Sequence, residues 1–100
     1  MTNEDLYRFD AEGESPVRQM LADAMERAVG ARSERYLYEV AAAALVATGR
    51  ASDVPRAEEV LNAQMGEALF EAFDLLGVDH DRAYARFHEI LRQLYEYLKV

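Results

Sequence analysis

Tyr84, Phe87, Leu91, Leu94 and Leu98 fall three, four, three and four residues apart, the rhythm of a helix packing one face into a bundle. Three further stretches carry the same kind of periodicity, each with its own start and stop signals. The first predicted helix covers 16–29, with Ser15 as N-cap, Pro16 in the first turn and Gly30 closing the end; its buried face is Val17, Met20, Leu21, Ala24, Met25 and Ala28. The second covers 34–48, capped by Ser33 and stopped by Gly49. It is apolar nearly all round (Tyr36, Leu37, Tyr38, Val40, Ala41 to Ala44, Leu45, Val46), which predicts a helix surrounded by others at the bundle's centre. The third covers 55–76, entered through Ser52 or Asp53 and ended by Gly77. Its stripe is Ala57, Val60, Leu61, Met65, Ala68, Leu69, Ala72, Phe73 and Leu76, and Gly66 inside it points to a close contact or a slight kink. The fourth covers 80–98 behind Asp79 as N-cap.

Connections of about two to six residues favour antiparallel neighbours, so the fold class is all-α: a compact bundle of four main helices. One hundred residues suffice for one hydrophobic core, and an apolar content of 51% is that of a folded globule. The organisation read from this is a short acidic N-terminal segment, 1–14, followed by a single helical-bundle domain, 15–100. The absence of cysteine removes disulfides, thiolate metal sites and thiol nucleophiles together. The run from Tyr36 to Gly49 falls short of the roughly 20 apolar residues a bilayer span requires, and the acidic MTNEDLYRFD start carries no apolar leader core. The expected location is the cytoplasm, away from membranes.

Charge is distributed unevenly. Between Ala57 and Asp81 there is no Lys or Arg, while Glu58, Glu59, Glu67, Glu71, Asp74, Asp79 and Asp81 make up nearly all of the formal net charge of −8. Glu58 and Glu59 sit in a first helical turn, Asp79 is a cap and Asp81 follows it, so four of the seven have ordinary local reasons. Glu67, Glu71 and Asp74 have none: at 100° per residue they share an arc of about 60° opposite the apolar stripe, and Glu67 repels Glu71. Asp74 also faces the unfavourable end of the helix dipole. Phe70 points toward the same arc. An aromatic among three acids fits a binding anchor with a charged rim. This acidity disfavours direct contact with nucleic acid or anionic membrane.

Catalytic signatures are sparse. Arg82 and His88 on the fourth helix read R-x5-H, a spacing that resembles the motif of the HEPN-fold ribonucleases, all-helical proteins whose dimers bring such residues together to cut RNA. The resemblance covers these two residues and implies RNA cleavage through Arg82 and His88; Ala83 stands where that family usually has a polar residue. His80 and His88 lie about 12 Å apart along a helix, too far to share a metal ion. No Glu-x-x-His occurs, the glycines are isolated, and no Ser or Thr stands beside a His or Lys base. Neither a cofactor nor a metal is expected.

The function these residues favour is non-enzymatic: an acidic helical protein-binding module, acting as adaptor, chaperone or inhibitor. It would engage a basic, nucleic-acid-handling partner through Glu67, Phe70, Glu71 and Asp74, mimicking nucleic-acid charge. Two alternatives are a dimerisation module whose acidity serves solubility, with the fourth helix as the homodimer interface flanked by Tyr95 and Tyr97, and the HEPN-like ribonuclease.

Overall fold

The computed structural model describes residues 15–99; the acidic segment 1–14 lies outside the described residues. Four helices form an all-α bundle with no strand among the described residues. Helix α1 spans Pro16–Ala31, α2 spans Arg35–Ala47, and α4 spans His80–Leu98. Helix α3 is one rod in three stretches: α-helical Val54–Leu61, π-helical Asn62–Gly66 and α-helical Glu67–Leu75. Each helix packs on its chain neighbours, and α4 returns to α1 to close the ring. Among the described residues no helix is long and apolar enough to cross a membrane.

Caps fix most of the boundaries. The Ser15 side chain accepts from the Arg18 N–H, Asp53 from Arg56 and Asp79 from Arg82, each satisfying a donor that a first helical turn leaves open. Gly49 ends α2 with φ +76°, a left-handed backbone that costs glycine nothing. Two signals resolve differently. Helix α1 runs through Gly30, and it is Arg32, at φ 52°, that takes the left-handed cap and donates to Ala28 and Val29. At α2, Glu34 holds the N-cap position, while the Ser33 hydroxyl accepts from the Arg35 N–H two residues on.

The core also corrects the expected centre. Helix α2 buries only Leu37, Ala41, Ala42 and Leu45, and Tyr36 is 44% exposed; its apolar surface exceeds what the bundle covers. Helix α4 is the main core donor, burying Ala83, Phe87, Ile90, Leu91, Leu94, Tyr95 and Leu98. Tyr95 turns inward, its hydroxyl donating to the Arg18 carbonyl at 3.2 Å, while Tyr97 stays outside. In α1, Met20 is exposed and Ala22 and Val29 are buried in its place.

The π turn has a cause in the sequence. Ala57, Leu61, Met65 and Leu69 are all buried and are spaced by four residues three times in succession. In a regular α-helix each such step overshoots a full turn by about 40°, so the row would drift about 120° off the core. A wider π turn at Asn62–Gly66 absorbs the drift. Gly66 permits it: a Cβ there would come within 3.2 Å of Asn62 Oδ1 and 3.7 Å of the Tyr38 hydroxyl.

Candidate partner-binding surface

Beyond the π turn, Glu67–Leu75 is regular helix, so its residues keep the angular relations read from sequence. Leu69 and Ala72 face the core. Glu67, Phe70, Glu71 and Asp74 lie on the opposite side, all exposed, with Phe70 at 69%. The expected arc is therefore assembled as a surface. Glu67 begins this stretch without a free helix end, because Gly66 before it is already helical. Its charge draws no benefit from a helix N-terminus, as the sequence implied.

One of the acids has a partner on the neighbouring helix. Arg86 of α4 lies 3.7 Å from Glu71 and 2.7 Å from Glu89, pinned between two helices at the edge of the arc. Sequence alone could not place Arg86, because the facing register of α3 and α4 is set by packing. Phe73 and Phe87 supply that packing: their rings meet edge to face with centroids 5.0 Å apart.

The arc borders a groove that the sequence did not reveal. About 330 Å³ of open space lies between Glu34, the N-cap of α2, and Tyr38 of α2 on one side and Asn62, Gly66, Glu67, Phe70 and Phe73 of α3 on the other. Its floor is tied by the Tyr38 hydroxyl, which donates to Asn62 Oδ1 at 3.1 Å across the two helices. Burial raises the Tyr38 pKa above its ordinary value of 10.0, and the Glu34 carboxylate adds to the rise. A second hollow of about 500 Å³ continues past Glu34, Tyr38 and Asn62 to Arg35, Glu39 and Glu58. The available signals were Gly66 in mid-helix and the run of four-residue spacings, which together mark a π turn, a feature frequent at functional sites.

No protein-family model, curated protein or solved structure matches the chain. Site chemistry therefore carries the functional reading. Arg82 is exposed at the start of α4 and His88 is half-buried further along. Six residues separate them, about 9 Å of rise and about 120° of rotation, so a single chain does not bring the two together. Among the described residues no three His, Asp or Glu side chains are grouped to hold a metal ion. With Tyr95 committed to the interior, the outer face of α4 offers Tyr97 as its exposed large aromatic.

Proposed function

We propose that this protein is a non-enzymatic acidic binding module that docks a basic protein surface on the outer face of α3. The observation that carries the reading is Phe70, 69% exposed and flanked by Glu67, Glu71 and Asp74 on one helical arc. Keeping a large apolar ring in water is unfavourable, and within the row only Glu71 has a cationic neighbour, Arg86 at 3.7 Å, while Glu67 and Asp74 make no ion pair among the described residues; a basic partner surface satisfies both. Basic surfaces of this kind are characteristic of proteins that handle nucleic acid, whose phosphate charge the carboxylates imitate. An adaptor, a chaperone or an inhibitor would all use the face in the same way.

The test is affinity capture from lysate at low salt, with the retained proteins identified by mass spectrometry. Wild-type chain is expected to retain a basic protein that the charge reversal Glu67→Arg, Glu71→Arg, Asp74→Arg does not, with helical circular dichroism unchanged. Equal retention by both chains overturns the reading.

A further inference from the structure

We propose that the groove between α2 and the π turn of α3 receives an arginine side chain of the basic partner. This rests on the binding reading above and supplies the chemistry of its contact. Shape comes first: the space is a cleft flanked by two helices, with the exposed Phe70 at its side and half-buried Tyr38 and Phe73 along it. Aromatic faces attract a guanidinium, which stacks on them while keeping its edge donors free.

Charge selects the same occupant. Glu34, Glu58 and Glu67 line the groove and its continuation and make no ion pair among the described residues. The cation that lines the space, Arg35, is already held by Glu39 at 3.1 Å. Carboxylates contributed by two different helices suit a planar, forked cation that donates in two directions at once; a lysine ammonium meets them as a point charge. A purely apolar ligand would strip water from Glu34 and Glu67 and return no hydrogen bond. A second copy of this acidic face has the wrong sign. So does the chain's own start, where Glu4, Asp5, Asp10, Glu12 and Glu14 outweigh Arg8. The arginine of a basic partner is the occupant that fits both ring and charge.

The experiment is an amide-resolved NMR titration of the full chain with three blocked tripeptides, acetyl-Gly-Xaa-Gly-amide, in which Xaa is arginine, lysine or the uncharged isostere citrulline. The arginine peptide is expected to shift the amides of Glu34, Tyr38, Asn62 and Phe70, binding about threefold or more tightly than the lysine peptide, with citrulline inert. Glu34→Gln and Phe70→Leu should each weaken it about threefold. Glu34 makes no side-chain capping bond, so its variant keeps the fold. Equal response to arginine and lysine, shifts located elsewhere, or no effect of Glu34→Gln overturns the proposal. The captured partner separates the two levels. If Glu34→Gln retains it fully while the Glu67, Glu71, Asp74 reversal loses it, the groove proposal falls and the binding reading stands; if the reversal also retains it, both fall.

Discussion

Tyr95 and Arg18 hold each other twice: the tyrosine hydroxyl donates to the Arg18 carbonyl at 3.2 Å, and the Arg18 guanidinium lies 4.9 Å from the centre of the Tyr95 ring. The end of α4 is thereby fastened to the start of α1, closing the ring of helices. Tyr95→Phe keeps the ring and deletes the donor. It is expected to lower stability by about 1 kcal/mol in urea unfolding, the usual net worth of such a bond. No change in the unfolding midpoint would show that the hydroxyl does not fasten the two helices.

The same tyrosine makes stability depend on alkaline pH. Burial raises the Tyr95 pKa above 10.0, Arg18 pulls it back and Asp23 adds to the rise; Tyr38 is raised as well. Above pH 10 the unfolded chain releases these protons before the folded one does, so folding is penalised as pH rises. The contribution is fully present below that pH and is lost as pH climbs through the folded values. Urea midpoints taken from pH 8 to 11 should fall more steeply for wild type than for a Tyr38→Phe, Tyr95→Phe double variant. Parallel curves would overturn this assignment.

Two helical glycines should respond differently to alanine. Gly30 lies within α1 with nothing within 4 Å of an added Cβ, so Gly30→Ala should stabilise by about 0.5 kcal/mol through helix propensity alone. At Gly66 the methyl crowds Asn62 Oδ1, and the propensity gain is offset by the Tyr38–Asn62 bond it disturbs. The net change there should be near zero, within about 0.5 kcal/mol. Thermal unfolding of the two variants checks the order; a larger gain at Gly66 than at Gly30 contradicts it.

Arg86→Gln should tighten partner binding. The guanidinium partly neutralises Glu71 from α4, so its removal leaves the arc more negative. Stability should move by less than about 1 kcal/mol, since both pairs reach solvent. Affinity for the captured basic partner should rise about two- to fivefold at low salt, and the advantage should disappear as salt screens it. Weaker binding in this variant would mean that Arg86 itself contacts the partner.

The four helices were legible because their signals are local. Ser15, Asp53 and Asp79 cap where their hydrogen-bonding chemistry places them, and the 84–98 row is buried or half-buried throughout. The acidic arc was legible too, since Glu67 to Asp74 lies within one regular stretch. What escaped depends on competition between elements. Arg32 rather than Gly30 takes the left-handed cap because α1 continues one turn-fraction further than its glycine suggests. Helix α2 reads as central from composition, yet Tyr36 remains exposed and the buried residues are Leu37, Ala41, Ala42 and Leu45, because which faces are covered is set by how the helices pack and not by composition. Tyr95 turns inward for a carbonyl 77 residues away in sequence, which no local pattern encodes. The groove belongs to the same class: Tyr38 and Asn62 meet only after α2 and α3 have packed.

The π turn at Asn62–Gly66 has a final consequence. It sets the compass bearing of everything after it, because angle accumulates along a helix. Deleting a single residue there would restore ordinary winding and leave Phe70 and its three acids within about 20° of their present bearing relative to Ala57 and Leu61, because the π turn already absorbs one surplus residue; the same deletion elsewhere between Leu61 and Phe70 would swing them by about 100°. The rod would keep its length almost unchanged, and only a deletion outside the π turn would leave its front half and back half unable to face their neighbours at once. Ordinary substitutions along α3 are thus edits to a lettered shaft; a one-residue deletion in its middle turns the lettering away from its reader, except in those five positions, where the shaft holds a letter to spare.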